Sequence, residues 1–309
     1  MNHIFVVNPH AGRRDSTAQI TRRVEQYAAE HPQFQYLIYH TQSPGDATTW
    51  VRQYCESHPE QQLRFYACGG DGTLNEVLSG IIGHTNAQLS CLASGSGNDF
   101  IKYYGTHDDF NNLPRLIEGV THPVDVMRVT SPHSDLQRYS INVCNFGFDA
   151  QVVRTMERVR RFPIIGGKQA YTTGIVASLF TGMRNHIALQ VDGKPFFDGV
   201  MLLCALSNGR YYGGNYNCAP HSFNDDGLIE IGLFRRMSVI TLARLIGSYT
   251  RGTHLQHPAA QRYILQGQGV HLSLSSNSPF WISVDGELIQ GSRFEIQNLH
   301  HAITFVSPA

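Results

Sequence analysis

Apolar and polar positions follow two alternating periods over the first 120 residues. Continuous apolar runs predict four buried strands, at 3–7, 34–41, 63–68 and 87–94. The intervening stretches have apolar residues at helical spacing and predict three helices, beginning at Asp15 or Ser16, over Asp46–Ser57, and through Leu74–Ile82. Because strands and helices alternate with short links, the pattern predicts a Rossmann-like α/β domain with a parallel sheet.

The pattern changes near residue 127. From there on, short alternating runs bounded by Gly, Asn and Asp predict an all-β, sandwich-like domain, interrupted by helical segments at about 167–183 and 238–250. Two of the predicted strands, GVHLSLSS and FWISVDGE, are separated by a polar stretch. We therefore expect an α/β domain of residues 1–127 and a β-rich domain of residues 128–293, with 294–309 as a segment that could join the first domain.

Composition narrows the class of protein. Of the 309 residues, 41% are hydrophobic and 16% charged, which favours a folded core over disorder. Lys plus Arg equals Asp plus Glu at 24 each, and this zero net charge argues against a nucleic-acid-binding surface. None of the six cysteines forms a CxxC pair, and no signal peptide or membrane-spanning run is apparent. These features predict a cytoplasmic protein with reduced thiols.

The sequence CGGDGTLNEV (68–77) places three glycines and an aspartate between a predicted strand and a predicted helix. In parallel α/β sheets, ligands bind at the carboxyl ends of strands. Glycines allow close backbone approach there, and the helix N-terminus provides an anion site. Asp71 would repel a phosphate unless it holds Mg²⁺ or positions a hydroxyl. A plain tight turn is the alternative.

Two further loops strengthen the phosphate-site interpretation. ASGSGNDF (93–100) follows the next strand and offers Ser96 and Asn98, so two glycine loops at successive strand ends would form one wall of a nucleotide cleft. NPHAGRR (8–14) follows the first strand, where its arginines could meet phosphate oxygens or lie in a solvated turn.

Taken together, the motifs resemble those of the soluble diacylglycerol kinase-like lipid kinases, which include sphingosine kinases and many bacterial members. The resemblance rests on NPHAG, GGDGTLNEV, GSGNDF and NGRYYGGNYNCAPHSFNDDGL, and extends from about residue 4 to 290. GGDGT alone also occurs in NAD kinases and resembles a phosphofructokinase loop, whereas GNDF and DDGL favour lipid kinases. Ala93 and Ser96 stand where the family usually has Pro and Thr, and Ser96 keeps the hydroxyl.

The resemblance implies an active site in the cleft between the two domains, with ATP and Mg²⁺ as cofactors. It assigns nucleotide binding to Asn8, Arg13, Thr41, Gly69, Gly70, Asp71, Gly72, Thr73, Asn75, Glu76, Ser96 and Asn98. For Thr41, a helix-capping or turn hydroxyl is the alternative.

The resemblance also implies a second metal site in SFNDDGLIEI (222–231). Asp226 would supply a carboxylate, and Phe223 and Leu228 backbone carbonyls, to a structural ion distinct from the Mg²⁺ that travels with ATP. Whether that ion is Mg²⁺ or Ca²⁺ is left open. An Asp-Gly turn is the plain interpretation of this segment, and both can hold at once.

SVDGEL (283–288) is another acidic motif. If it is a strand, alternation puts Asp285 and Glu287 on one face; taken alone, its Asp-Gly pair is typical of a turn. The resemblance implies that Glu287 accepts the proton of the lipid hydroxyl, with Asp71 and Asp285 as rival or supporting acids.

Each of two further segments has both a plain structural interpretation and a functional one. The apolar stripe in 168–183 fits core packing or an acyl-chain pocket. The basic stretch 154–168 fits a solvated helix face or contact with an anionic membrane. His300 and His301, adjacent in a strand, should face opposite sides and are interpreted as incidental.

The leading hypothesis is an ATP- and Mg²⁺-dependent kinase for the hydroxyl of a long-chain lipid, diacylglycerol first. A sphingoid base or another lipid alcohol, an NAD kinase relative, and a silent lipid- or nucleotide-binding regulator are the alternatives. The expected partners are the lipid and the inner face of the membrane, contacted peripherally, with no nucleic acid; a homodimer is left open.

Overall fold

The computed structural model describes residues 1–12, 15–95, 97–132, 134–147, 186–214 and 216–309. The predicted helix at 167–183, the basic stretch 154–168, and the side chains of Arg13, Arg14 and Ser96 lie outside the described residues.

The described chain forms two units, Met1–Val126 with Leu299–Ala309, and Met127–Asn298. The chain leaves the first unit after Val126, one residue before the expected end of the first domain at residue 127. The C-terminal segment that belongs to the first unit begins at Leu299, five residues later than the expected 294.

The first unit is a parallel α/β domain. Its strands are β1 (Asn2–Val7), β2 (Tyr36–His40), β3 (Leu63–Gly69) and β4 (Ala87–Ala93), and its helices are α1 (Thr17–Glu30), α2 (Asp46–Ser57), α3 (Asp71–Ile81) and α4 (Leu113–Glu118). The strand order is β2-β1-β3-β4, all parallel. The four predicted strands and three predicted helices are therefore confirmed.

The burial of the strands explains why they appear as continuous apolar runs. All seven residues of the central strand β3 are buried, because helices cover both faces of a parallel sheet. Two long strands run through both units, β5 (Val120–Thr130) and β15 (Glu287–Ser307). The end of β15 adds a fifth parallel strand beside β4, where Phe305 pairs with Leu89 and is fully buried.

The second unit is antiparallel and β-rich. Its further elements are β6 (Gln137–Ser140), β7 (Val143–Gly147), β8 (His186–Val191), β9 (Lys194–Ser207), β10 (Tyr211–Tyr212), β11 (Tyr216–Asn217), β12 (Ile229–Arg235), α5 (Val239–Thr250), α6 (Pro258–Gln261), β13 (Ile264–Gly269) and β14 (His271–Val284). Strands β9, β7, β14 and β8 pair in a closed ring. This closure encloses a core that includes Phe146, Leu206 and Ile282.

The six cysteines are all free and buried, as expected for a chain of reduced thiols. Burial disfavours the thiolate and raises the pKa of Cys55 to about 12, so these side chains act as small apolar core residues. Among the helices that the structure describes, none is both long and apolar enough to cross a membrane.

Two buried histidines predict a loss of stability in mild acid. Burial, and for His3 also the charge of Arg64, lowers the pKa of His3 and of His254 from 6.5 to about 4. Both rings are therefore neutral in the fold, whereas the unfolded chain binds protons below pH 6.5. Stability that is present above pH 6.5 is then lost as the pH falls towards 4.

At about pH 5, each of these histidines should lower the free energy of unfolding by on the order of 1 kcal/mol. We expect the melting temperature to drop between about pH 7 and 5, and to drop less in His3→Gln, since glutamine does not titrate. The exposed His40→Gln is the matched control and should keep the wild-type drop. An equal drop in His3→Gln would contradict this account.

Candidate active site

The two glycine loops of the first unit contact each other backbone to backbone. Gly69 and Ala93 are paired residues at the ends of the neighbouring strands β3 and β4. A Cβ atom on Gly95 would lie only 2.4 Å from the Cα of Gly70. Glycine at position 95 is therefore required by the packing of one loop against the other, and the structure brings these loops together as the sequence predicted.

Hydrogen bonds to one carbonyl group fix this arrangement. The backbone N–H groups of Ser94 and Gly95 both donate to the carbonyl oxygen of Gly69, each at 3.1 Å. The side-chain amide of Asn98 donates to the same oxygen at 3.1 Å. Asn98 has a left-handed backbone (φ 47°), and its side chain is buried within the protein. Asn98 therefore holds the second loop in place.

Asp71 is the first residue of α3, directly after Gly70. Its Oδ1 accepts a hydrogen bond of 2.7 Å from the backbone N–H of Asp99, and its Oδ2 lies 2.8 Å from where a Cβ on Gly97 would be. The second loop thus orients the carboxylate, and the absence of a side chain at residue 97 makes room for it. Lys102 Nζ lies 2.6 Å from Asp99 Oδ1 and supplies a positive charge next to this pair.

Asn8 and Thr73 link the first strand end to the glycine loop. The Asn8 side-chain amide donates to Thr73 Oγ1 at 3.0 Å, and the Asn8 backbone N–H donates to the carbonyl of Cys68 at 3.1 Å. Thr73 in turn packs against Gly69, where a Cβ would lie 2.3 Å from Thr73 Oγ1. Glycine is therefore required at position 69 for this contact as well.

Thr41, Asn75 and Glu76 are also assigned to the nucleotide. Thr41 follows β2, and its backbone N–H donates to the carbonyl of Val7 at the same edge of the sheet. Asn75 is buried in α3. Glu76 lies in the same helix, and its backbone carbonyl accepts a hydrogen bond from Thr48 Oγ1 at 2.9 Å.

In the second unit, Asp285 and Gly286 form the two-residue turn between β14 and β15. Val284 pairs with Glu287, and Asp285 and Gly286 have φ values of 47° and 95°. Positive φ at both central residues is the signature of a tight hairpin turn. The expectation that strand alternation puts Asp285 and Glu287 on one face is therefore wrong, because the turn interrupts the strand between them.

The Asp285 carboxylate points back into the protein. Ser140 Oγ donates to its Oδ1 at 2.6 Å. It also accepts hydrogen bonds from the backbone N–H groups of Ile141, Asn142 and Val143. Asp285 thus anchors the turn to the segment between β6 and β7, and Glu287 follows it as an exposed residue at the start of β15.

The loop before β12 contains Asp226, the one carboxylate of the predicted second metal site. The Asp226 carboxylate accepts a hydrogen bond of 3.0 Å from the backbone N–H of Leu228, and Gly227 between them has a φ of 80°. Phe223 is 53% exposed, with the Arg210 guanidinium 5.6 Å from its ring centre. The Asp-Gly turn is therefore formed, and Asp226 orients its backbone.

Sequence reasoning missed the supporting residues of both acidic groups. The backbone N–H of Asp99 positions Asp71, a contact that residue type does not indicate. The GNDFIK stretch signalled only the ion pair of Asp99 with Lys102, as an acid and a base three residues apart. Ser140 binds Asp285 from 145 positions away, and no local pattern could have indicated that contact.

Glycine loops at the strand ends of a parallel domain, combined with an antiparallel β-rich domain, define the two-domain class of kinases that includes diacylglycerol kinases and NAD kinases. The chain belongs to the diacylglycerol kinase-like lipid kinase family and is a kinase. Residues 2–129 match the diacylglycerol kinase catalytic domain, and residues 142–305 match the YegS C-terminal NAD kinase beta sandwich-like domain.

Individual relatives agree with this assignment. The chain is 25% identical over 311 residues to the diacylglycerol kinase of Bacillus subtilis, with 98% of this chain and 95% of that protein covered. It is 29% identical over 238 residues to a "Probable lipid kinase YegS-like" of Xanthomonas oryzae, covering 74% of each.

Solved structures show the same fold. A diacylglycerol kinase from Bacillus anthracis superposes with a TM-score of 0.70 at 20% identity, over 99% of this chain and 96% of that chain. Yeast NADH kinase superposes with a TM-score of 0.54 at 12% identity, over 100% of this chain and 84% of that chain. Kinases named for different acceptors therefore share this fold, and the fold by itself does not identify the acceptor.

Proposed function

We propose that this lipid kinase transfers the γ-phosphoryl group of ATP, with Mg²⁺, to the hydroxyl of a long-chain lipid, and that its acceptor is diacylglycerol, giving phosphatidic acid. The observation that carries the proposal is the pair of glycine loops locked together through Gly70 and Gly95, with the Asp71 carboxylate held between them by Asp99.

The glycines of the two loops differ in what surrounds them, and this difference points to a ligand. Protein atoms already occupy the space that a side chain would need at Gly69, Gly95 and Gly97. Gly72 is exposed, and a Cβ there would have no protein atom within 4 Å. A phosphate approaching the N-terminus of α3 accounts for glycine at this position, because backbone N–H groups and the helix dipole favour an anion there.

Substitutions at Gly72 and at Gly95 should therefore have opposite effects. Gly72→Ala should leave the melting temperature unchanged or slightly raised, since alanine favours a helix by about 1 kcal/mol over glycine. It should nevertheless weaken ATP binding at least about tenfold, because a methyl group would occupy the phosphate path. Gly95→Ala should instead lower the melting temperature, since the contact with Gly70 costs about 1–3 kcal/mol.

Calorimetric titration with ATP and thermal melting of both variants separate these effects. Wild-type ATP affinity in Gly72→Ala would show that the open side of residue 72 does not face the nucleotide. A stable Gly95→Ala protein would show that the close contact between the loops is not needed.

The donor set around Asp71 suits Mg²⁺. A carboxylate at a phosphate site offers the oxygen ligands that this ion prefers, and the Asp99 N–H orients it through one oxygen. Mg²⁺ would neutralise the charge that develops on the phosphoryl group, a large share of catalysis in this chemistry. Asp226, with the carbonyls of Phe223 and Leu228, would hold the second, structural ion.

The proposal assigns proton removal to Glu287. An exposed carboxylate on a rigid hairpin can accept the proton of an alcohol as that alcohol attacks the γ-phosphoryl group. Asp285 is a positioning residue in this scheme, because its oxygens are engaged by Ser140 and by backbone N–H groups. Asp71 and Glu287 then divide charge neutralisation and proton transfer between them.

The choice of diacylglycerol follows the names of the relatives and the family. The Bacillus subtilis relative, which aligns with 98% of this chain, is named a diacylglycerol kinase. The same proposal places the protein in the cytoplasm and in peripheral contact with the inner face of the membrane, where the acceptor is found. NADH kinase shares the fold, so NAD is the second candidate acceptor.

Direct measurement of ADP by chromatography tests the proposal. With ATP and Mg²⁺, we expect ADP release that depends on diacylglycerol in mixed micelles and stops on chelation of the metal with EDTA. ADP release that needs NAD in place of lipid would favour the second candidate, and lipid-dependent release that persists in EDTA would contradict the assigned metal.

A further inference from the structure

A carboxylate and two imidazoles meet in the first unit, apart from the residues assigned to catalysis. Asp125 lies in β5 and is fully buried, whereas His300 and His301 lie in β15 and are exposed. One ligand atom from each of the three side chains lies within 4.8 Å of the others. Asp125 is adjacent to Val126 and His300 to Leu299, the residues where the chain changes units.

The backbone of His301 creates this convergence. Two adjacent residues of a regular strand point to opposite faces, and the expectation that these histidines do so is wrong. His301 has a φ of 48°, and the two imidazole rings stack with centroids 3.6 Å apart. A left-handed conformation is unfavourable for a non-glycine residue and persists where the surrounding structure enforces it.

Both histidines form hydrogen bonds with the buried carboxylate of Asp125. Asp125 Oδ1 accepts hydrogen bonds from His300 Nδ1 at 2.9 Å and from the backbone N–H of His301 at 2.8 Å. A carboxylate with no exposed surface needs compensation of its charge. An exposed imidazole can supply this compensation as a hydrogen-bond donor or, when the ring nitrogen that faces the carboxylate carries no proton, by sharing a metal ion with it.

We propose that Asp125, His300 and His301 bind a divalent transition-metal ion of the Zn²⁺ class, distinct from any Mg²⁺ of the kinase reaction. Two imidazole nitrogens and one carboxylate oxygen form a ligand set typical of zinc, with water in the fourth position. Bonds of about 2.0–2.1 Å at a tetrahedral angle separate two ligand atoms by about 3.3 Å. The His300 Nδ1 to Asp125 Oδ1 distance of 2.9 Å therefore needs only a small side-chain adjustment.

The ion would connect β5 to β15, the two strands that run through both units. On binding, His300 takes the tautomer that carries its proton on Nε2, so that the Nδ1 lone pair faces the metal beside Asp125. Because the site uses none of the residues assigned to phosphoryl transfer, zinc binding can be tested whether or not the proposed acceptor is correct.

Calorimetric titration of the full chain, stripped of metal, with ZnCl₂ tests the site. We expect one equivalent bound with micromolar or tighter affinity, weakened at least about tenfold in both His300→Gln and His301→Gln. His186→Gln is the matched control, since His186 Nδ1 also lies near a carboxylate, 3.3 Å from Asp198 Oδ1, but both of those side chains are exposed. It should bind zinc as the wild type does.

Melting in the presence of a chelator shows that each variant is folded, and added zinc should raise the melting temperature of the wild type and of His186→Gln more than that of His300→Gln or His301→Gln. Wild-type affinity in either His300→Gln or His301→Gln would overturn the proposal, as would the absence of a stoichiometric zinc site. Displacement of zinc by an equal concentration of Mg²⁺ would overturn the choice of metal class.

Discussion

Asp71→Asn is expected to reduce phosphoryl transfer by about 10³-fold while leaving the protein folded. The substitution removes the negative charge at the N-terminus of α3 but keeps an oxygen that can accept the hydrogen bond from the Asp99 N–H. The loop geometry should therefore survive, whereas the carboxylate that would hold Mg²⁺ against the phosphates is lost. The measurements are the turnover rate on diacylglycerol and the melting temperature.

A matched control exists in the same domain. Asp46 begins α2 directly after Gly45, just as Asp71 begins α3 directly after Gly70. The Asp46 carboxylate binds Tyr39 Oη and the backbone N–H of Gln42. Asp46→Asn should therefore change turnover little, even though it removes the same charge from a helix start. If Asp71→Asn retained activity within about tenfold of the wild type, its assigned role would be wrong.

The second large effect is expected from the hairpin in the second unit. Substitution of Glu287 should lower turnover, whereas substitution of the neighbouring Asp285 should lower stability. Glu287→Gln should lower turnover by about 10²–10³-fold with an unchanged melting temperature, because it removes a proton acceptor that is exposed and not part of the core. The loss should appear in kcat more than in KM, since the interaction arises in the transition state.

Asp285→Asn should instead lower the melting temperature. Its carboxylate accepts hydrogen bonds from Ser140 and from backbone N–H groups, and an amide nitrogen would face some of those donors. Unsatisfied buried groups of this kind cost about 1–3 kcal/mol each. A stable Asp285→Asn protein with a large loss of turnover would instead make Asp285 the acid that touches the substrate. Full activity in Glu287→Gln would remove it from the mechanism.

The parallel domain could be predicted from the sequence because its strands are buried on both faces. Such strands appear as uninterrupted apolar runs, and helices with one buried face separate them. The β-rich domain is harder to divide, since its strands bend and change partners. The polar stretch after Ser275 suggests a break between two strands, yet β14 continues through it with only a shift of register before Phe280.

The site shows where sequence patterns stop being informative. The glycine motifs predict that two loops meet, but only the structure separates Gly95, required by protein packing, from Gly72, whose open side suits a ligand. Likewise, strand alternation fails wherever one residue takes a positive φ. The Asp-Gly pair indicates the turn that aims the Asp285 carboxylate at Ser140, whereas nothing in the residue type of His301 indicates the positive φ that brings its ring beside His300.

Labelled phosphate from γ-labelled ATP can be followed to a panel of acceptors in mixed micelles, with the products separated by chromatography. The panel contains diacylglycerol, monoacylglycerol, sphingosine, ceramide, a polyprenol and NAD. If the protein is a diacylglycerol kinase, we expect labelled phosphatidic acid, formed with Mg²⁺ and absent in Asp71→Asn. Label on NAD and on none of the lipids would contradict it.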